Sequence, residues 1–78
     1  HGFDTEVVEL MAAPGSPITR APLSRQNLSS KAGILIGAVF RDGRWRTAVG
    51  DTHIRENEPV IAVCEAQHVR DVRDLFSV

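Results

Sequence analysis

Three arginines beside a tight turn are the chemically most suggestive group in this 78-residue chain. Arg41 ends an apolar stretch, and Arg44 and Arg46 follow the Asp42-Gly43 pair. Most arginines near a turn are plain surface charges. An arginine at the end of a buried strand, next to a two-fold axis, would however be duplicated by symmetry. Two guanidinium groups facing each other suit a symmetric, doubly charged anion, so the arginines are where the sequence points to a ligand.

The three histidines, His1, His53 and His68, do not form a metal-binding pattern. Zinc needs three or four ligands at compact spacings, and His53 has only Asp51 close to it in the sequence. We therefore expect no metal site.

Cys64 is the single cysteine and alternates with Val60 and Ala62 along a short apolar segment. A catalytic thiol needs an electropositive, partly exposed environment, whereas this spacing predicts a small buried side chain. The serines lack a Gly-x-Ser-x-Gly context. Two carboxylate pairs are expected to be solvated, Glu56 and Glu58 on a loop and Asp71 and Asp74 on an exposed helix face. We expect no catalytic residues; a small enzyme that uses Cys64 and Asp51 is the alternative.

Composition excludes several classes of protein. The net charge is −1 with eight Arg and one Lys, and aromatic residues make up 5% of the chain. A nucleic-acid-binding surface needs a basic stripe or stacking aromatics, so we expect no nucleic acid partner. The longest apolar run, residues 32–40, is too short to cross a bilayer. A single thiol fits a reducing compartment.

The length predicts one domain. We expect residues 1–5 to be a tag or linker remnant and residues 6–78 to form the domain. A chain of this size buries only about 60–65% of its unfolded surface. An apolar content of 42% suffices for a core, and self-association is favoured.

Hydrophobic patterning and turn residues predict six elements. The fold class is therefore α+β: a small antiparallel or mixed sheet of about four strands, with a short helix after the first strand and a C-terminal helix. For residues 5–12 a helix is the alternative, because Glu, Leu, Met and Ala are helix formers. The predicted strands are 5–12, 33–41, 44–49 and 60–65, and the predicted helices are 21–28 and 66–76. We expect Leu23 and Leu28 to face the core and residues 27–30 to form a polar exit loop. Asp42-Gly43 predicts a type I′ hairpin turn, and Gly50-Asp51-Thr52 predicts a second tight turn.

The strand at residues 33–41 is apolar on both faces. Strict alternation places on one face Ile34, Ile36, Ala38 and Phe40, and on the other Leu35, Gly37 and Val39. A strand that is apolar on both sides should be covered on both. We expect helices over one face and a second copy of the chain over the other.

The order and spacing of these motifs resemble the carboxyl-terminal domain of TrkA, the RCK-C family, from about Glu6 to Phe76. Asn57-Glu58 stands where the family usually has Gly-Asp, and Ala48 where it usually has Pro. The matching motifs are Val7-Val8-Glu9-Leu10, Ser16-Pro17-Ile18, Leu23, Leu28, the apolar strand from Ile34 through Arg41-Asp42-Gly43, Gly50-Asp51-Thr52, Val60-Ile61-Ala62-Val63, and the helix ending in Leu75-Phe76.

The resemblance implies a function that the residues alone do not. It implies a non-enzymatic, cytoplasmic regulatory domain that forms a homodimer, lies at the inner face of the membrane, and acts on a potassium transporter or channel. NAD or another nucleotide would bind only to a separate preceding domain. Some relatives bind cyclic di-AMP at the dimer seam, which implies a ligand site around Ile34, Leu35 and Arg41. The alternatives are a constitutive dimerisation module, or the same module on a cation antiporter or anion transporter.

Overall fold

Four antiparallel strands form one sheet, and the helices pack against one of its faces. A computed structural model describes residues 4–78. The strands are β1 (Thr5–Met11), β2 (Leu35–Arg41), β3 (Arg44–Thr47) and β4 (Pro59–Glu65), and the α-helices are α1 (Leu23–Gln26), α2 (Leu28–Ala32) and α3 (Val69–Leu75). Short 3-10 turns at Pro17–Thr19 and Ala66–His68 complete the fold. The predicted α+β class with about four strands is confirmed.

The sheet order β1-β4-β2-β3 puts the strands that are adjacent in sequence, β1 and β2, on either side of β4. In β1, Val7 pairs with Val63 and Glu9 with Ile61, and on its other side β4 pairs Ile61 with Ala38. β3 pairs only with β2, so β1 and β3 are the two edges of the sheet.

The two faces of the sheet differ sharply in burial. We call the face beneath α3 the inner face; there β4 places Val60, Ala62 and Cys64, all at most 3% exposed. Val72 and Phe76 of the C-terminal helix segment join the same core. We call the opposite side the outer face, and it carries the alternate β4 residues Ile61 and Val63, which are half-buried. The predicted burial of Cys64 is confirmed, and burial raises the pKa of its thiol.

The alternation predicted along β2 is wrong beyond Ile36, because the strand contains a β-bulge. Ile36 pairs with Ala62 and Ala38 with the next residue of β4, Ile61, so Gly37 is one residue too many for the ladder. An extra residue reverses the faces of everything after it. Val39 is consequently buried at 2% exposure, whereas Phe40, predicted to share a face with Ile36, is 36% exposed. A side chain at Gly37 would make only ordinary contact with the Ile61 carbonyl, at 3.7 Å.

The predicted helix at residues 21–28 is two short helices. Asn27 takes a left-handed conformation, with φ of 52°, and ends α1. The chain then forms α2 where a polar loop was expected at residues 27–30. Gly33, also left-handed, ends α2 and donates its N–H to the carbonyl of Ser29 at 3.1 Å. As predicted, Leu23 and Leu28 pack against the core.

The predicted turns are present. Asp42 and Gly43 both have positive φ, 56° and 79°, as a type I′ hairpin requires. In the Gly50-Asp51-Thr52 turn, the Thr52 hydroxyl accepts the N–H of Val49 at 3.0 Å. β3 ends at Thr47, two residues before the predicted end, and all four of its residues are exposed.

The loop before β4 contains a left-handed asparagine. Asn57 has φ of 64° and donates its N–H to the Ala12 carbonyl at 2.6 Å. Because Asn tolerates this conformation better than other residues with a side chain, we expect Asn57→Ala to lower the free energy of unfolding by about 1 kcal/mol. Asn57→Gly should change it little, and urea denaturation measures both. An alanine variant as stable as the parent would contradict the strain argument.

The first described residues are part of the fold, through a backbone hydrogen bond and the first strand. The Asp4 carbonyl accepts the N–H of Ala66 at 2.8 Å, and Thr5 begins β1. The expectation of a tag or linker remnant otherwise concerns residues 1–3, which lie outside the described residues. Within residues 4–78, no helix has the length and apolar character needed to span a bilayer.

Candidate functional site

A cleft of about 260 Å³ lies between the two short helices and the start of β2. Ile34, 1% exposed, and Ile36, 7% exposed, belong to the core and form part of its wall. Leu23 and Leu28 contribute from the helices. The remaining lining residues are Ser24, Asn27, Ser29, Ser30, Leu35, Ala48, Val49 and Gly50.

Backbone hydrogen bonds fix the helices that border this cleft. The N–H of Leu23 binds the carbonyl of Thr52 at 3.0 Å, and that of Ser24 binds the carbonyl of Gly50 at 2.7 Å. The N–H of Ile34 binds the carbonyl of Leu28 at 3.2 Å. The loop after β3 and the start of β2 are therefore held to opposite ends of the helical segment.

The cleft combines an apolar wall with neutral hydrogen-bonding groups. Its described polar side chains are the hydroxyls of Ser24, Ser29 and Ser30 and the amide of Asn27. Nucleophilic catalysis needs a base beside the nucleophile, and none of the described lining side chains is acidic, histidine or cysteine. The cleft is suited to a ring or other flat apolar group that also makes hydrogen bonds.

The structure does not bring the three predicted ligand residues onto one surface. Ile34 and Leu35 both line the cleft, but Ile34 is buried and Leu35 is 59% exposed on the outer face. Arg41 lies seven residues from Ile34 at the other end of β2, a separation of about 23 Å along a strand. Their joint role in binding a ligand stays a prediction.

Arg41 is held by groups of its own chain. Its guanidinium donates two hydrogen bonds to the Glu58 carboxylate, at 2.6 and 2.7 Å, and one to the His53 carbonyl at 3.0 Å. Glu58 also accepts the N–H of Arg55 at 2.8 Å. The side chains of Arg41 and Glu58 are only 21% and 13% exposed. A bidentate arginine–carboxylate pair is the strong form of this interaction, and here it clamps the end of β2 to the loop before β4.

The ion pair between Arg41 and Glu58 shifts the pKa values of both residues. The hydrogen bonds from Arg41 are the main cause that lowers the pKa of Glu58, with the Arg55 N–H helping and burial opposing. The hydrogen bond to Glu58 likewise raises the pKa of Arg41. Both shifts favour the charged forms, so the pair is ionised at neutral pH.

His53 and His68 lie in separate surroundings and contact different groups of the chain. The ring Nε2 of His53 lies 2.7 Å from the carbonyl of Thr19, which makes that nitrogen an N–H donor. His68 contacts the Asp71 carboxylate at 3.2 Å on an exposed surface. Within the described part of the chain, no three His, Cys, Asp or Glu side chains come together in a metal-binding arrangement. His1 lies outside the described residues.

Sequence reasoning missed the partner of Arg41 and most of the cleft. Glu58 is 17 residues from Arg41, and it was assigned to a solvated loop with Glu56. The available signal was the coincidence of a strand-terminal arginine with a glutamate just before the next buried strand. No sequence pattern indicated the cleft, because its serines were interpreted as ordinary loop and helix-capping residues.

Comparison with known proteins gives a consistent but partial match. The sequence matches no family model. It is 33% identical over 73 residues to the Trk system potassium uptake protein TrkA of Azorhizobium caulinodans. The matched region covers 94% of this chain but only 16% of that protein. Nearly the whole chain is therefore similar to one segment of a potassium uptake protein.

Proposed function

We propose that this chain is a non-enzymatic regulatory domain of a potassium transport system, acting as a homodimer in the cytoplasm at the inner face of the membrane. The observation that carries the proposal is the similarity to TrkA, since it extends over 94% of the chain. The absence of a nucleophile–base pair from the described cleft lining is compatible with it. More specifically, we propose that the domain regulates transport through dimerisation of the RCK-C type.

In this form, an effector acts by binding one arrangement of the dimer more tightly than another. A ligand shifts an equilibrium only by its difference in affinity for the two states, and this coupling is reciprocal. Leu35 is suited to such a role because it lines the cleft and also stands exposed on the outer face. A nucleotide base in the cleft would therefore also contact the outer face of the sheet at Leu35.

Potassium uptake tests the proposal directly. The segment encoding residues 4–78 is deleted in frame from its gene in the native host, and rubidium uptake is measured at limiting external potassium. We expect uptake, or its response to external potassium, to be lost and then restored by the intact gene. Unchanged uptake at every potassium concentration would contradict the proposal. A change confined to proton-coupled cation exchange or to anion flux would instead assign the domain to an antiporter or anion transporter.

The effector is tested by calorimetry with cyclic di-AMP and a panel of adenine and guanine nucleotides. We expect one of them to bind and Leu35→Glu to abolish its binding. Leu35 can be changed without opening the core, because it is 59% exposed. Val78→Glu is the matched control, since Val78 is also an exposed aliphatic residue, at 93%, and lies outside the cleft. Arg41→Lys, which keeps the charge, tests the predicted arginine contact.

One observation favours a constitutive dimerisation module that binds no effector. The guanidinium of Arg41 is already hydrogen-bonded to Glu58 and His53, so an anion would have to compete with an ion pair of the same chain. If none of the nucleotides binds in the calorimeter and the chain forms a stable dimer, this second function is favoured.

A further inference from the structure

A groove of about 400 Å³ lies between the helical segment formed by α1 and α2 and the C-terminal helix α3. It is distinct from the cleft described above, although Leu28 and Ile34 line both. Its apolar lining consists of these two residues together with Ala32 and Leu75. Ile34 is 1% exposed, and the other three are half-buried and pack against the core. Hydrocarbon placed in the groove would therefore leave water for an apolar surface.

Two side chains of opposite charge also line the groove, Arg25 from α1 and Asp71 from α3. They are the only charged side chains among its described lining residues, and they form no ion pair with each other. Arg25 makes no side-chain hydrogen bond or ion pair within the described part of the chain. Oδ2 of Asp71 lies 3.2 Å from Nδ1 of His68, and no described residue donates to its Oδ1. One cationic and one anionic group are therefore open to a ligand.

The amide of Gln26, beside Arg25, has a fixed orientation. Its Nε2 donates to the carbonyls of Ile18, at 3.1 Å, and Ala21, at 2.8 Å. Because an amide nitrogen carries two N–H groups, both donors are used, and the oxygen Oε1 is the group that remains. The groove thus has an uncharged hydrogen-bond acceptor in addition to its two charges.

The two charged groups lie towards different ends of the groove. Gly33, which ends α2, is next to the start of α3, since a Cβ on Gly33 would lie 4.0 Å from Cδ2 of His68. Asp71 lies at this end, whereas Arg25 belongs to the other end of the helical segment. Leu75, which also lines the groove, is one helical turn beyond Asp71, about 6 Å along α3. The charges are therefore separated by about this distance, with apolar side chains between them.

This spacing selects the length of a ligand that carries both charges. An extended chain spans at most about 3.3–3.6 Å per residue, so an amino acid is too short, whereas a dipeptide spans about 7 Å. Its carboxylate would bind the forked guanidinium of Arg25, its ammonium Asp71, and its peptide N–H the Oε1 of Gln26. Apolar side chains would match the lining. A simple apolar acid would instead leave the charge of Asp71 against hydrocarbon, which is unfavourable.

We propose that the groove between the α1–α2 segment and α3 is a second binding site, for a dipeptide with free termini and apolar side chains. Its volume is within the range of small-molecule sites. The inference goes beyond the regulatory role proposed above and depends neither on that role nor on the state of association.

Titration of the ¹⁵N-labelled chain with leucyl-leucine, followed by two-dimensional NMR, tests the location of the site. The backbone amides of Ala32 and Leu75 report on the groove alone, and those of Leu23 and Ala48 on the cleft alone. We expect leucyl-leucine to shift the first pair of resonances and to leave the second pair in place. The same spectra show whether each variant below is folded.

Two capped peptides test the assigned charges. Leucyl-leucine amide lacks the carboxylate, and N-acetyl-leucyl-leucine lacks the ammonium. We expect Arg25→Gln to weaken the binding of leucyl-leucine about three- to tenfold and to leave that of the amide unchanged. Asp71→Asn should weaken leucyl-leucine by a similar factor and leave the N-acetyl form unchanged. Arg73→Gln and Asp74→Asn, exposed changes on α3 outside the groove, are the matched controls and should bind like the parent.

No shift of Ala32 and Leu75 up to about 10 mM leucyl-leucine, or shifts confined to the cleft residues, would overturn the site. Equal affinity of the parent chain for leucyl-leucine and both capped forms would overturn the pairing with Arg25 and Asp71. None of these results bears on the regulatory role, because rubidium uptake measures that role separately in the host.

Discussion

Replacing Ile54 by alanine is expected to lower the free energy of unfolding by about 2–5 kcal/mol, the range for a fully buried Ile or Leu. Ile54 is 0% exposed and belongs to the core. It is the apolar anchor of the connection between β3 and β4, which runs from residue 48 to 58. The loss combines the transfer of the removed methylenes with the cavity that they leave.

Urea denaturation at a fixed protein concentration measures this effect, since stability of a dimer depends on concentration. For a chain of this size, each 1 kcal/mol corresponds to about 4–8 °C in Tm. Val49→Ala is the matched control, because Val49 lies in the same connection but is 56% exposed. If both alanine variants unfolded at the same urea concentration, Ile54 would not be the anchor of this connection.

Removing the carboxylate of Glu58 should cost about 2–3 kcal/mol of unfolding free energy, as expected for charge-assisted hydrogen bonds. In Glu58→Gln the half-buried guanidinium of Arg41 keeps its charge but loses its counter-ion. The Arg55 N–H loses its charged acceptor as well. Glu56→Gln, an exposed change in the same loop, is the control and should stay within about 0.5 kcal/mol of the parent.

The pH dependence of the free energy of unfolding tests whether the Arg41–Glu58 ion pair causes this effect. The pKa of Glu58 is lowered on folding from its ordinary value of 4.5, so the folded state holds this proton less tightly than the unfolded chain. The stabilisation is therefore fully present above pH 4.5 and is lost as the pH falls through the lower folded pKa. Urea midpoints measured from pH 7 to pH 3 should approach each other for the parent and Glu58→Gln. A constant difference across this range would contradict the assignment.

Local patterns predicted the strands because each has a strong local cause. Val7, Val8 and the run from Ile34 to Phe40 combine apolar character with alternation, and Asp42-Gly43 demands a type I′ turn. The C-terminal helix followed from the spacing of Val72 and Phe76. Such signals lie within a few residues of one another, which is the range over which pattern reasoning works.

The errors arose where one residue or a distant partner decides the outcome. A rule of strict alternation cannot account for an added residue. The bulge at Gly37 was therefore not predicted, and Phe40 was assigned to the wrong face. Asn27 was taken as the start of a loop, although its left-handed conformation only separates two helices. The expectation that Arg41 faces an anion came from its place at the end of a strand, so the ion pair that it makes with Glu58 was not predicted.

The bulge in β2 decides on which face of the sheet Arg41 lies. Counted without the added residue, the guanidinium would lie beside Leu35 on the exposed outer face. The inserted Gly37 instead turns it inward, to the Glu58 carboxylate of its own chain. A variant with Gly37 deleted is therefore expected to expose the guanidinium of Arg41 and to leave the Glu58 carboxylate without its partner.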